Sequence, residues 1–413
     1  VDLYDYQKEG VRFLMGRKRA YLADEMGLGK TVQAIKAAEA LDVKSVLVVC
    51  PASAVLNWHR EWKTWYRGKR GYLAVVSYSR LIRSWREIDG GDWDLVILDE
   101  AHYCKTPSAK RTIRALNIAK KAGRAWLLSG TPIPNNPSEL WPIMKHLWPE
   151  IPAVFGIRNA FGWFDRFCLW TTTQYGPRPY GVKNADQLRR RLTTFMLRRR
   201  LDQIALDLPP LRVDVHRLEK DASLQAALQK FGDVRDLEAL MELEQKEGGS
   251  VSRLRRLLGE YKTPRIAELI VEELGCGAYP RIVVLAHHRN SLARLAQYFK
   301  EKGVRYVGFH GGTSLTQRQA AIDAFQGGGE QVFLAQQTAA GIAINLQCAS
   351  EIVLVEPSWV PSENTQAIKR IHRIGQDSPC RARIFSVIGT LDDPLMEIVA
   401  QKSRMITEIL GGE

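Results

Sequence analysis

Two short segments of this chain hold the residue types that phosphate chemistry requires. The first is Asp24-Glu-Met-Gly27-Leu-Gly29-Lys30-Thr31, which follows a short apolar run and leads into a helical segment. Backbone N–H groups of a glycine-rich loop and the positive end of the next helix can cradle a phosphate, a Lys ammonium can reach the outer oxygens, and a Thr hydroxyl can hold magnesium. The general pattern begins with Gly, and Asp24 stands in its place. The second segment is Leu95-Val-Ile-Leu-Asp99-Glu100-Ala101-His102, an apolar run tipped by two carboxylates. Asp99 is expected to hold the metal, and Glu100 to orient and deprotonate an attacking water. The plainer reading makes these acids the cap of the next helix. Ser129-Gly130-Thr131-Pro132 is by itself only a turn signal. Near the other end, Gln366 to Gln376 places Arg370 and Arg373 three residues apart, which predicts one helical face. Two guanidiniums facing one way suit a triphosphate; as a bare pair they would be ordinary surface arginines.

These residues need elements to position them. Between residues 20 and 130, short β-rich runs alternate with helical segments, and the same alternation returns after Lys262, where a helix is expected from Pro264 to Leu274. Four to eight apolar residues bounded by turns, each followed by a helix, predict parallel sheets covered on both faces. The expected class is therefore α/β: one lobe over 1–134, helical insertions and linker over 135–262, a second lobe over 263–390, and a C-terminal helix over 391–413 packing back on the lobes. The middle is read as insertions without a sheet of its own. Its tryptophans, from Trp141 to Trp170, suit either a stacking platform for bases or the core of the insertion.

The 413 residues are 45% hydrophobic and 25% charged, an ordinary balance for a folded chain that argues against disorder or collagen. The longest apolar stretches fall far short of the roughly 20 residues that span a bilayer, so no membrane partner is expected. The six cysteines form no C-x-x-C pair, which argues against a zinc site and against a disulfide framework. The start lacks a signal-peptide layout, so a cytoplasmic or nucleoid location, or a nuclear one in a eukaryote, is expected. The net charge of +14 is uneven: residues 1–132 carry 23 Lys and Arg against 14 Asp and Glu, whereas residues 263–413 carry 15 of each. The densest run, Arg189 to Arg200, holds six arginines and no acid. Such a run reads either as a solvated helix face or, with a polyanion, as a source of released counterions.

In this order the segments resemble the motifs of superfamily-two helicases, specifically the Swi/Snf-type DNA translocases, over nearly the whole chain. Tyr6-Gln7 is similar to the family's Gln motif, Asp24 to Thr31 to its motif I with the same Asp, and Cys50-Pro51-Ala-Ser53 to Asn57-Trp58 to motif Ia. Ser77-Tyr78, Asp99 to His102 and Ser129 to Pro132 resemble motifs Ib, II and III. Leu197-Arg198-Arg199-Arg200 followed by Leu208-Pro209-Pro210 resembles the family's signature between lobes. His287-His288-Arg289 and His310-Gly311-Gly312-Thr313-Ser314 look like motif IV and its neighbour, Gln337-Thr338 to Asn345 like motif V, and His372-Arg-Ile-Gly-Gln376 like motif VI. The wording Ala-His-His and Gly-Gly-Thr-Ser leans toward the branch of HARP-like annealing helicases.

The resemblance implies two RecA-like lobes that use ATP and magnesium. Gln7, Asp24, Gly27, Gly29, Lys30, Thr31, Gly341 and Gln366 would bind nucleotide, Thr31 and Asp99 the metal, with Lys30, Asp99, Glu100, Arg370 and Arg373 catalytic. Ser53, Ser77, Arg198, Arg199, Thr313 and Thr338 would contact DNA. It implies a monomeric translocase on double-stranded or forked DNA, largely indifferent to sequence. The competing readings are a strand-separating, annealing or RNA helicase, for which the sequence names no separating wedge, and a nucleotide-gated DNA clamp with weak turnover. Three departures from the family stand out: Tyr4 and Asp5 before the Gln motif, Ala343 for a Gly in motif V, and Lys369 for an acid in motif VI. Because the chain opens on the Gln motif, an N-terminal part is expected to be missing from it.

Overall fold

The structure, a computed structural model, describes residues 2–68, 71–173, 176–204, 208–231, 249–337 and 344–410. It divides into two compact units, residues 1–206 with 401–413, and residues 207–400. The expected separate middle region, 135–262, is thus shared between the two units.

The first unit is built on β1 (Arg19–Leu22), β2 (Ser45–Cys50), β3 (Tyr72–Ser77), β4 (Leu95–Asp99) and β5 (Arg124–Leu128). Apart from Arg19, Ser45, Ser77, Asp99 and Arg124 at their ends, these strands are apolar, because helices such as Lys30–Ala40, Val55–Trp65 and Lys110–Lys121 cover the sheet. A hairpin of β6 (Cys168–Thr173) and β7 (Gly176–Val182) follows, and then β8 (Met196–Leu197). Every pairing in the main sheet is parallel, in the order β3-β2-β4-β5-β1-β8. The carboxyl ends of all its strands therefore share one edge, where such sheets bind ligands.

The second unit repeats the plan with β9 (Leu211–Leu218), β10 (Ile282–Ala286), β11 (Tyr306–Phe309), β12 (Val332–Gln336), β13 (Glu351–Leu354) and β14 (Cys380–Val387). They form a parallel sheet ordered β11-β12-β10-β13-β14-β9. The helix expected from Pro264 to Leu274 instead runs from Ser250 to Gly275. Its buried apolar side chains pack into two hydrophobic clusters, Leu254 and Leu258 before the proline and Ile266, Ala267 and Ile270 after it, and that packing outweighs the helix-breaking signal of Pro264.

Two expectations for the middle of the chain need correcting, and one open reading is decided. It is not purely helical: it contributes an edge strand to each sheet, β8 and β9, and a hairpin of its own. The arginine-rich run is not one helix either. A helix over Ala185–Leu192 ends, and the chain passes into β8 alongside β1, where Tyr21 N–H donates to Phe195 O at 2.9 Å and Ala23 N–H to Leu197 O at 2.7 Å. Of the two readings of the tryptophans, core holds for three of them: Trp141, Trp148 and Trp163 are buried in the first unit's main hydrophobic cluster, and the Trp163 indole donates to Pro137 O at 2.9 Å.

Trp163→Ala is expected to cost about 3–5 kcal/mol in urea denaturation. Phe161→Ala, at a ring 58% exposed, is expected to stay within about 0.5 kcal/mol. Equal losses would contradict this division of the insertion into core and surface.

Candidate active site

The glycine-rich loop leaves the carboxyl end of β1 and enters the helix at Lys30. Gly27 and Gly29 have φ of 92° and 73°, in the left-handed region that favours glycine. At Gly29 a Cβ would also lie 2.5 Å from the Gln7 amide nitrogen. Gln7 is buried, and its amide donates to Leu28 O at 3.5 Å, so it lies against the loop from the preceding helix. Lys30 Nζ donates to Asp24 O at 2.7 Å and Glu25 O at 3.1 Å, and burial lowers its proton affinity.

Asp24 does not face the loop's interior. It is fully buried and accepts from Arg199 Nη2 at 2.5 Å, Arg199 Nε at 2.9 Å and Gln33 Nε2 at 3.1 Å. Arg199 adds Glu9 at 3.2 Å, Gln33 Oε1 at 2.9 Å and the carbonyl of Tyr6. Its own carbonyl accepts from Glu25 N–H at 2.9 Å. The expected DNA contact at Arg199 is therefore corrected: its guanidinium is committed to Asp24, and Asp24 shapes the loop from behind without reaching toward phosphate. The neighbouring Arg198 also points inward, donating to Ala23 O at 3.0 Å and Gly130 O at 3.3 Å.

Across β5, β4 delivers the paired carboxylates to the same edge. Asp99 accepts the Trp58 indole N–H at 2.8 Å and the Glu100 N–H at 3.0 Å, and its carbonyl accepts the Tyr78 hydroxyl at 3.0 Å. Burial, then the charge of Glu100, raise the proton affinity of Asp99. Glu100 itself sits at φ 49°, ψ 52°, a left-handed conformation that costs a non-glycine residue about 1–3 kcal/mol and concentrates at functional sites. The turn brings Glu100 Oε2 within 3.2 Å of His102 Nδ1, and Ser129 lies 3.0 Å from that nitrogen. His102 and Ser129 thereby join motifs II and III. Trp58 and Tyr78, which hold Asp99, carried a family resemblance in sequence but no assigned role.

The donor set suits a hard cation. Two carboxylates at one strand tip, with the proton affinity of Asp99 raised by burial and by the charge of Glu100, and the Thr31 hydroxyl next to Lys30 in sequence offer the oxygen ligands that magnesium takes.

Ser53 is half-buried just beyond β2, and Ser77 ends β3, both on the edge that carries the loop. Ser77 Oγ accepts from Arg80 N–H at 3.1 Å and so also caps a helix. In the second unit, Thr313 Oγ1 accepts from His310 N–H at 3.1 Å within the turn after β11. Gln366 is buried on the helix Pro361–Ile368, which ends before the arginines. Arg370 and Arg373 thus lie in the following turns, not on a helical face, because Gln376 Nε2 binds Gln347 O, Ala349 O and Ile371 O at 2.9–3.0 Å and folds the chain back. Arg370 is buried, with Nη1 3.4 Å from Ile344 O. Thr338, Gly341 and Ala343 lie outside the described residues.

Known families match this arrangement. The model of the SNF2-related domain matches residues 6–76 and 69–265, and the helicase conserved C-terminal domain matches 265–375. The chain belongs to the SNF2-related family. Among relatives of this family, the human DNA annealing helicase and endonuclease ZRANB3 is 28% identical over 99% of the chain. The Xenopus tropicalis SWI/SNF-related matrix-associated actin-dependent regulator of chromatin subfamily A-like protein 1 is 28% identical over 98%. The chain spans 40% and 44% of the length of these two relatives. A solved Sulfolobus solfataricus SWI2/SNF2 ATPase core in complex with dsDNA aligns over 99% of this chain and 93% of that one, at 23% identity and a TM-score of 0.44.

The Asp24–Arg199 pair makes a measurable claim. Arg199→Ala is expected to destabilise the first unit by about 3–5 kcal/mol, since it strands a buried carboxylate. Combining Arg199→Met with Asp24→Asn should recover a large part of the loss, giving a coupling energy above about 1 kcal/mol in a double-mutant cycle. Strict additivity would show that the two residues do not depend on each other.

Proposed function

We propose that this chain is an ATP-dependent motor acting on DNA, which hydrolyses ATP with magnesium and moves along duplex DNA without reading its sequence. The observation that carries the reading is the pairing, on one sheet edge, of the Gly27–Thr31 loop with Asp99 and a conformationally strained Glu100. Lys30 and the N–H groups of the loop bind the phosphates. Thr31 and Asp99 hold the magnesium, whose charge offsets that of the phosphates. Glu100, its backbone turned left-handed, takes the proton of an attacking water, and His102 with Ser129 orients its carboxylate. Arg370 and Arg373 stabilise the charge that develops on the transferred group.

DNA is the polymer of choice because one relative is named a DNA annealing helicase, and because the basic excess lies in the first two-thirds of the chain. Half-buried Ser53, with Ser77 and Thr313, supplies hydroxyl contacts to backbone phosphates, and exposed Arg190 and Arg191 add salt-sensitive attraction. Arg198 and Arg199 no longer belong to that set. We take the motor to act as a monomer.

Steady-state ATPase measurements with duplex DNA, single-stranded DNA and RNA test this reading. Duplex is expected to stimulate most, and stimulation by RNA alone would overturn it. Glu100→Gln is expected to bind nucleotide yet lose about 10²–10⁴-fold in turnover. Lys30→Ala should abolish turnover, and unchanged activity in either variant would show that the loop and the acids are not the catalytic site.

A further inference from the structure

Between Asn159 and Val182 the first unit carries a small aromatic body that neither its sheet nor its candidate active site uses. Strands β6 and β7 pair only with each other, antiparallel from Cys168↔Val182 to Thr173↔Gly176, with an irregularity between Leu169 and Trp170. A lone two-stranded hairpin is marginal in water, and this one is fixed at its base. Cys168 and Val182 are buried, Lys183 N–H donates to Phe167 O at 2.9 Å, and Asn184 Nδ2 donates to Arg166 O at 2.9 Å. Beyond the base, Phe161 on the preceding helix Ala160–Phe167 and Tyr180 on β7 face water. Phe161 is 58% and Tyr180 48% exposed. Trp170 sits edge-on to Phe161 at 6.0 Å between centroids, and its indole donates to Asp165 Oδ1 at 3.1 Å, which fixes the ring.

Exposed rings on an anchored hairpin mark an interaction surface, and charge indicates what meets it. Residues 156–191 hold seven Lys and Arg, against Asp165 and Asp186 as the only acids. A surface with that excess suits a polyanion, and the rings suit flat apolar faces. A nucleic-acid strand with unstacked bases offers both; an intact duplex hides its base faces. A protein partner adding a strand to the hairpin is disfavoured, because Pro177 and Pro179 remove two N–H donors from β7.

We propose that the β6–β7 hairpin, with Phe161 and Tyr180, is a binding site for an unpaired DNA strand, which lets the motor engage junctions between single and double strands. The proposal rests on the DNA-motor reading above and adds a site that the phosphate-gripping hydroxyls do not supply. Bases stack on the rings while nearby cations neutralise the backbone.

The test is fluorescence anisotropy of the whole chain, without nucleotide, on oligothymidylate and on blunt duplex DNA. In the Phe161→Ser, Tyr180→Ser double variant, oligothymidylate affinity is expected to fall at least about tenfold, with duplex affinity and duplex-stimulated ATPase within about twofold. Tyr180→Phe, which keeps the ring, should bind as the unmodified chain does. Both altered residues are exposed, so melting temperatures should match. Independently of any variant, an iodouracil-substituted single strand should photocross-link within residues 159–182. Unchanged oligothymidylate affinity, equal losses on both DNAs, no oligothymidylate binding at all, or cross-links confined to other segments would each overturn the proposal. Failure of duplex to bind or to stimulate the unmodified chain would instead overturn the motor reading, whereas the hairpin is judged on oligothymidylate alone.

Discussion

The phosphate loop of the first unit depends on one buried ion pair. Asp24 occupies the place where phosphate loops of the general pattern begin with glycine, and a buried carboxylate there is tolerable only with a partner that satisfies it from several directions. Arg199 does so with three of its nitrogens, its backbone N–H included, and Gln33 supplies a further donor. Because Arg199 follows β8, the pair also fastens the returning chain as a sixth strand beside β1. The interaction therefore joins two tasks: it sets the first residue of the loop, and it closes the edge of the sheet. It also gives a physical reason for the run Leu197-Arg198-Arg199-Arg200, whose charge suggests a polyanion but whose middle arginines turn inward.

The same economy governs the catalytic edge. Trp58 and Tyr78 reach Asp99 from the elements that follow β2 and β3, so its carboxylate and its backbone carbonyl are each held by a neighbouring strand's connection. Glu100 is aimed by its own backbone. The left-handed turn at this residue is a strain of about 1–3 kcal/mol, and the contacts of His102 with Glu100 and Ser129 sustain it. Parallel strands make this assembly possible, since each βα connection delivers its side chains to one edge.

Much of this was legible in the sequence where chemistry imposes a fixed spacing. The loop, the paired carboxylates and the alternation of apolar strands with helices all stand in the structure where the residues put them. What sequence reasoning missed was tertiary choice. Arginine is a poor guide to surface, because a buried acid far away in sequence can claim it, as Asp24 claims Arg199 across 175 positions. Tryptophan is equally ambiguous: Trp163 fills a core while Phe161, two residues earlier, faces water. Pro264 signals a helix boundary locally, and the apolar packing on either side overrides it. Arg370 and Arg373 have helical spacing, yet the amide of Gln376 draws that stretch into turns. In each case the deciding contact is distant in sequence or depends on burial, and neither periodicity nor spacing carries that information.

Asp24 holds the glycine-rich loop through Arg199. The most direct test is Asp24→Gly, which restores the glycine of the general phosphate-loop pattern and removes the carboxylate. Calorimetric titration of this variant with a non-hydrolysable ATP analogue should show a Kd raised at least about tenfold, close to 1.4 kcal/mol, because Arg199 is left buried without its charge partner and the loop without its anchor. An unchanged or tighter Kd would contradict the account and return Asp24 to the status of a neutral sequence variant.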